Sequence, residues 1–168
     1  VLALSDAEVI DWESIFALTR LESLELAHCK LPTFPLTARS RRSFPQLKVL
    51  RLTGTPISNL SFLPTMPRLE VLVLTDTNVT DLSPLLTVRL PLRNLKIDGL
   101  NPANLRVLIN FPLESLTVSP MLIRDKVGLD SLRMHGTLKV LRAPGDPEDQ
   151  PARTFWEKLD HGDYETSG

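Results

Sequence analysis

The side chains in this sequence that could do chemistry occur in a few short clusters. His28 and Cys29 are adjacent, and an imidazole beside a thiol is the pairing that activates a nucleophilic cysteine. Asp160, His161 and Asp163, in the segment "DHGD", have side chains that can coordinate a metal ion, but no second group of ligands accompanies them. We expect Cys29 to pack in the core and His28 to point outward. The chain is therefore predicted not to be an enzyme and to hold no metal or cofactor.

An acidic segment near the C-terminus, "GDPEDQP", offers three more carboxylates. Asp146, Glu148 and Asp149 could hold a calcium ion, but their spacing is not that of an EF-hand loop. Proline and glycine flank them, as in an exposed turn. We therefore interpret the segment as a solvated acidic turn.

A basic segment, "ARSRRS", carries Arg39, Arg41 and Arg42. These residues could contact nucleic acid or another anion, or could present Ser43 to a basophilic kinase. Because no aromatic residue is interleaved for base stacking, we expect a solvated loop. Over the whole chain, 19 basic and 20 acidic residues nearly cancel, and the seven glycines form no phosphate-binding loop. The sequence thus favours a protein or peptide partner over nucleic acid.

Length and composition limit the class of protein further. The 168 residues can bury a core of their own, and the single cysteine, Cys29, excludes an internal disulfide framework. No apolar run approaches the roughly 18 residues of a membrane-spanning helix, so we predict no membrane insertion within this chain. The sequence slightly favours the cytoplasm but does not determine the cellular compartment, and it does not determine the oligomeric state.

The apolar residues that would position any functional group follow the pattern L-x-x-L-x-L-x-x-N/C-x-L. Residues 47 to 63, "LKVLRLTGTPISNLSFL", and residues 69 to 85, "LEVLVLTDTNVTDLSPL", have almost the same spacing. Copies begin at Leu21, Leu47, Leu69, Leu92, Leu113 and Leu138, while Leu2 and Leu4 fit the later part of an earlier copy. This is the signature of a leucine-rich repeat.

The repeat predicts the local structure of each unit. The L-x-L segment alternates apolar and variable residues, as a short strand with one buried face does. Polar residues able to cap a short helix follow in successive units: Asp11, Thr33, Asn59, Asp81, Asn104 and Asp125. Stacked units would share one core. The predicted fold is an α/β, right-handed solenoid of about six to seven units, with a parallel sheet on the concave face and short α or 3-10 helices on the convex face.

The ninth position of the pattern, usually Asn or Cys, changes along the chain. It is Cys29, Thr55 and Thr77 in the first copies, and then Leu100 and Met121. Because the last two have no polar side chain, we expect the C-terminal units to be less regular.

Two segments interrupt the repeat pattern, and the second sets the proposed domain limit. The unit from Leu21 carries an insert around "LTARSRRSF", which should form a loop on the helical side. The unit from Leu138 ends in the Pro-rich acidic segment, which cannot continue the solenoid. We predict a solenoid over residues 1–148 that begins inside a repeat.

Residues 149–168 are predicted to close the end of the core. Pro151 suits a first helical turn, and Phe155 and Leu159 lie four residues apart, with Trp156 beside them. A terminal repeat needs such a cover. We expect a capping helix here, followed by a frayed tail, "HGDYETSG".

Particular phrases in the sequence resemble those of a known family. "GTPISNLSFL" and "DTNVTDLSPL" resemble short bacterial leucine-rich repeats. The strand "LKVL" and the helix "PARTFWEKLD" are similar to the closing elements of repeat domains in bacterial serine/threonine-kinase-associated proteins. The resemblance covers nearly the whole chain and implies a partner-binding module attached to a signalling protein, whose kinase would lie outside this sequence.

The best candidates for binding are the outward residues of the strands, on the predicted concave face. They are Ser23, Glu25, Val49, Arg51, Val71, Val73, Asn94, Lys96, Ser115, Thr117, Val140 and Arg142. We predict partner binding at Glu25, Val49, Arg51, Val71, Val73, Asn94, Lys96 and Thr117. Three valines flanked by Arg51 and Lys96 resemble the apolar centre and charged rim of an interface, although valine is also simply a good strand former.

The sequence thus predicts a non-catalytic module that binds a protein or peptide with an acidic or apolar surface. It would be the sensing or scaffolding part of a larger bacterial signalling protein such as a kinase. The alternative is an adhesion or structural repeat domain at the cell surface.

Overall fold

The strands of this protein form one parallel sheet. The computed structural model describes residues 1–8, 15, 17–31 and 44–164. Within these ranges, seven strands pair in chain order: β1 (Leu2–Ser5), β2 (Ser23–Ala27), β3 (Val49–Arg51), β4 (Val71–Val73), β5 (Asn94–Lys96), β6 (Ser115–Thr117) and β7 (Val140–Arg142). Leu2 and Leu4 pair with Leu24 and Leu26, so the predicted earlier unit is present. The predicted solenoid of strand-forming repeats is confirmed.

The leucines at the strand centres form the spine of the core. Register places Leu50 beside Leu72, and Leu72 beside Leu95. The central leucines of β2 to β7 are at most 1% exposed: Leu24, Leu50, Leu72, Leu95, Leu116 and Leu141. All belong to one hydrophobic cluster, because alternation along each strand sends every second side chain to the same face. The core is therefore continuous, as the repeat predicts.

Short helical segments lie on the other side of the core. Within the described residues after β3, four are 3-10 helices, at Leu63–Thr65, Ser83–Thr87, Leu105–Asn110 and Leu132–Met134, and one is α-helical, α1 (Lys126–Ser131). Asp125 caps α1, accepting a hydrogen bond from the Gly128 amide at 2.9 Å. Asp81 accepts one from the amide of Ser83 two residues later, at 2.8 Å, which closes a turn just before the helix. Asn59 does the same with Ser61, so Asn59 and Asp81 form turns and are not N-caps as predicted; the N-cap residues are Phe62 and Leu82.

The predicted cap at Asn104 is wrong. Its side-chain oxygen accepts a hydrogen bond from the Leu82 amide of the preceding unit at 3.1 Å. The Leu105 amide instead donates to Asp125 of the following unit at 2.8 Å. These two side chains therefore connect neighbouring units, and Asp125 does so while it also caps its own helix. The predicted caps at Asp11 and Thr33, and the insert up to Ser43, lie outside the described residues.

The ninth position of the repeat forms polar contacts only in the first units. The hydroxyls of Thr55 and Thr77 donate to the carbonyls of Leu52 and Leu74 at 2.7 and 2.9 Å. Leu100, in contrast, is buried, and Met121 is 57% exposed. The change in side-chain type thus ends these polar contacts before the C-terminal units, although β5, β6 and β7 pair over three residues each, as β3 and β4 do.

The C-terminal end of the core is covered by α2 (Ala152–His161). Pro151 directly precedes this helix and bridges to Val140 of β7. Phe155 is fully buried in the main cluster, and Trp156 and Leu159 pack against it half-buried. The prediction of a capping helix is confirmed. No helix among the described residues is both long enough and apolar enough to cross a bilayer.

The predicted frayed tail is wrong for residues 161–164. His161 is the last residue of α2, and Gly162 ends the helix in the left-handed conformation, with φ 78°. The chain then turns back, so that the Tyr164 ring packs 5.2 Å from that of Phe155. The Tyr164 hydroxyl donates to the Asp146 carboxylate at 2.8 Å. A glycine that can adopt positive φ and the packing of the half-buried Tyr164 ring against Phe155 therefore hold this segment on the cap.

The prediction that the acidic turn is solvated is wrong for Asp146, whose side chain is only 9% exposed. Its carboxylate accepts hydrogen bonds from the Ala143 amide and the Gln150 side chain, at 2.8 and 2.9 Å. Lys158 of α2 forms an ion pair with it at 2.5 Å. Burial alone would raise the pKa of Asp146, but hydrogen bonds from Lys158, Ala143, Tyr164 and Gln150 outweigh it and lower that pKa.

This network predicts a pH-dependent stability. The folded-state pKa of Asp146 lies below that of the unfolded chain, so the ionised carboxylate stabilises the fold above about pH 4. That contribution is lost as the pH falls through the lowered pKa. We expect Asp146→Asn to reduce the free energy of unfolding by about 2–4 kcal/mol at pH 7. Urea denaturation at pH 7 and at lower pH values measures the difference, which should shrink below about pH 4.

The matched control is Asp149→Asn, because Asp149 lies exposed in the same turn. It should change the free energy of unfolding by less than about 0.5 kcal/mol at any pH. A loss for Asp146→Asn that stayed constant with pH would contradict an ionic role for this carboxylate.

Candidate binding surface on the sheet

The outward residues of the strands form two rows across the sheet. Register aligns one residue from each of β2 to β7 in a row that we call the charged row: Glu25, Arg51, Val73, Lys96, Thr117 and Arg142. Two positions earlier lies the neutral row: Ser23, Val49, Val71, Asn94, Ser115 and Val140. The parallel pairing therefore gathers all twelve predicted outward residues on one surface, which we call the sheet face.

Exposure on the sheet face differs from the simple prediction of an apolar centre. Val49 and Val71 are half-buried, but Val73 is only 6% exposed and Thr117 only 4%. Val73 lies between Arg51 and Lys96 in the charged row. A short side chain between two long ones is shielded by their aliphatic stems. The expectation that three valines form an exposed patch is thus wrong for Val73, although Val73 lies outside the main core cluster.

A groove runs along the charged row towards the carboxyl ends of the strands. Its volume is about 390 Å³. Arg51, Val73, Lys96, Thr117 and Arg142 line it within the row, and Thr53, Thr75, Asp98, Pro144, Gly145 and Glu148 line it beyond the row. The groove therefore joins predicted site residues from β3 to β7 with the loop that follows β7.

The cations of the groove differ in their partners. Within the described part of the chain, neither Arg51 nor Lys96 forms an ion pair or a side-chain hydrogen bond. Arg142 lies 3.8 Å from the Glu148 carboxylate and donates to the Asp146 carbonyl at 3.4 Å. Its Nε atom is buried and has no hydrogen-bond partner there, and the same holds for the Thr117 hydroxyl. The groove thus contains positive charge and hydrogen-bonding groups that the described residues leave unmatched.

Sequence reasoning misses the residues beyond the charged row. Thr75 and Asp98 follow Val73 and Lys96 by two positions, so the same alternation could have found them. The Thr75 hydroxyl donates to Asp98 at 3.0 Å. Glu148 and Gly145, in contrast, belong to the loop after β7. No repeat signal could have placed that loop, because it does not follow the repeat pattern.

The side chains that the sequence suggests for catalysis or metal binding lie in different surroundings in the structure. Cys29 is 1% exposed, with its thiol 3.5 Å from the carbonyls of Leu4 and Ala27, whereas His28 is exposed. Both orientations agree with the predictions. Asp160 lies in α2 and pairs with Arg133 at 2.5 Å. In the described ranges, no three His, Cys, Asp or Glu side chains form a group that could hold a metal ion. The basic segment Arg39–Arg42 lies outside those ranges.

Strands in chain order, backed by short helical segments and closed by a terminal helix, define an α/β repeat solenoid. A family profile described as "Leucine Rich repeats (2 copies)" matches residues 45–87, which include β3 and β4. The chain therefore contains a leucine-rich-repeat domain, a type of module that typically binds other proteins. A comparison with curated protein sequences finds no significant match.

Proposed function

We propose that this chain is a non-catalytic module that binds a protein or peptide through the sheet face. The observation that carries this proposal is the groove of the charged row, where Arg51 and Lys96 have no ion-pair partner among the described residues. Charged groups without partners around half-buried valines match the composition of an interface, with an apolar centre and a polar rim.

The stacking of the units supports the same proposal. Each residue of the charged row from β2 to β6 is held by backbone pairing with both neighbouring strands, as Val73 is with Arg51 and Lys96, and Arg142 on the last strand pairs with Thr117. A surface held in this way loses little conformational freedom on binding, and so more of the contact energy appears as affinity. The mechanism would be the rigid display of a row of side chains.

We further propose that the module serves as the sensing or scaffolding part of a bacterial signalling protein such as a kinase. The resemblance of "PARTFWEKLD" to the closing helix of kinase-associated repeat domains supports this placement. The role of Phe155 as a fully buried closing residue is consistent with that resemblance.

A peptide selection tests the proposed surface. Peptides selected from a random phage library on the immobilised chain are labelled, and their dissociation constants are measured by fluorescence anisotropy. The double variant Arg51→Asp and Val71→Asp changes two half-buried residues of the sheet face. We expect it to weaken binding at least about tenfold, because it replaces a cation and an apolar contact with carboxylates.

The control is a double variant on the helical face, where Leu86 is 58% exposed and Ile109 is 45% exposed. Leu86→Asp with Ile109→Asp should leave the dissociation constants unchanged. Circular dichroism verifies that both double variants are folded. If the helical-face variant lost binding while the sheet-face variant kept it, the proposed surface would be refuted.

A further inference from the structure

We infer that the groove of the charged row is a carboxylate-binding site, and that the partner is a peptide segment whose acidic side chains enter it. This inference rests on the proposed function, since it names the chemistry of the partner that the sheet face would bind. It begins from the positions of three cations. Arg51, Lys96 and Arg142 lie on β3, β5 and β7, that is, on alternate strands.

The strand spacing sets the distance between these cations. Adjacent strands lie about 4.8 Å apart, so backbone positions on alternate strands are about 10 Å apart. Val73 fills the position between Arg51 and Lys96, and Thr117 fills the position between Lys96 and Arg142. Both are short side chains that their neighbours shield, and so each lies beneath two flanking cations. A carboxylate above either short side chain would lie within reach of both flanking charges.

Three other cations next to the strands differ from Arg51 and Lys96 in having ion-pair partners. Lys48, directly before β3, pairs with Glu22 at 3.5 Å. Lys139, directly before β7, pairs with Glu114 at 3.0 Å, and Arg93 pairs with the same carboxylate. These pairs lie at the amino ends of the strands. Arg51 and Lys96, at the carboxyl ends, form no such pair within the described ranges, and so the groove can attract an external anion.

The position of Thr117, between Lys96 and Arg142, gives the strongest indication of an acceptor. Thr117 Oγ1 and Arg142 Nε are buried there, and the described residues supply neither with a hydrogen-bond partner. The Arg142 side chain is only 12% exposed. A guanidinium nitrogen can only donate, so the missing partner of Nε must be an acceptor. A carboxylate oxygen is the acceptor that an arginine binds best.

Glu148 explains how Arg142 stays accessible to such a partner. Its carboxylate lies 3.8 Å from Arg142, and its side chain is 91% exposed, so it is held only weakly. A carboxylate from a partner could replace it at the guanidinium. The other acidic residue of the groove, Asp98, already accepts a hydrogen bond from Thr75. Removing the charge of Glu148 should therefore strengthen binding of an acidic peptide.

The inference is tested with defined peptides rather than selected ones. The probes are fluorescein-labelled alanine-serine peptides that carry two glutamates at spacings of one to four residues, each with a matched peptide that has glutamine in their place. We expect at least one glutamate peptide to bind more tightly than its glutamine counterpart, with an affinity that falls as salt is added. Arg142→Gln and Lys96→Gln should each weaken that binding about fivefold or more, whereas Glu148→Gln should strengthen it.

The control for net charge is Arg153→Gln, since Arg153 is 88% exposed on α2 and does not line the groove. It should leave binding unchanged. The inference is overturned if no glutamate peptide binds better than its glutamine counterpart, or if Arg142→Gln has no more effect than Arg153→Gln. If selected peptides lose binding to the Arg51→Asp and Val71→Asp variant but not to Arg142→Gln, only the carboxylate site fails. If both variants bind them normally, the proposed function fails as well.

Discussion

Leu72→Asp is expected to abolish the cooperative unfolding transition of this protein. Leu72 is fully buried at the centre of β4, between Leu50 and Leu95. Removing a buried leucine side chain costs about 2–5 kcal/mol by itself. The new carboxylate would have no partner in the core, which adds a desolvation cost of several kcal/mol. Their sum is comparable to the whole stability of a typical domain, about 5–15 kcal/mol. Thermal and urea melts followed by circular dichroism measure the transition.

The matched control is Asn94→Asp, which introduces the same carboxylate on the outer face of the adjacent strand. Asn94 is exposed and pairs in register with Val71. We expect this variant to melt as the unchanged protein does, within about 0.5 kcal/mol. A Leu72→Asp protein with an unaltered melt would mean that the strand leucines do not form a shared core.

Phe155→Ala is the second variant with a large expected effect. Phe155 of α2 is fully buried in the main cluster, and the ring centroids of Trp156 and Tyr164 lie 5.1 and 5.2 Å from that of Phe155. Truncation of a buried phenylalanine to alanine costs about 3–5 kcal/mol. The loss should appear in full as a lower free energy of unfolding in urea, because α2 covers the last unit and a repeat stack without its cap exposes its core.

Trp156→Ala serves as the comparison, since Trp156 is half-buried and lies under Arg133, 4.4 Å from the guanidinium. We expect a smaller loss, about 1–2 kcal/mol, from the partial burial and the cation–π contact. An equal loss in the two variants would contradict the assignment of Phe155 as the residue that closes the core.

The strands and their register could be predicted from sequence because the signal is local and repeated. The period of two in each L-x-L segment sends Leu50, Leu72 and Leu95 to one face, and the repeat of the whole pattern aligns them. An ambiguous strand assignment in one unit is resolved by its alignment with the other units. The composition of the sheet face follows from the same alternation, since a residue between two core leucines must point away from the core.

The exposure of the sheet-face residues could not be predicted in the same way. Alternation directs Val73 and Thr117 outward, but their burial depends on the side chains of the flanking strands. Asp146 and Tyr164 lie 18 residues apart in a segment without a repeat, and their contact depends on the turn after α2. Asn104 bonds to another unit rather than to its own helix. Such contacts are set by packing between segments, which no local spacing records.

The register of the strands also means that repeat units could be added to this protein without a change in its fold. Val49 pairs with Val71, 22 residues later, and Val71 pairs with Asn94, 23 residues later. A tandem duplication of one such segment in the gene would give the new copy neighbours of the same shape on both sides, while α2 would still cover the final strand. Evolution or an engineer could therefore lengthen the groove one strand at a time and so match it to a longer ligand.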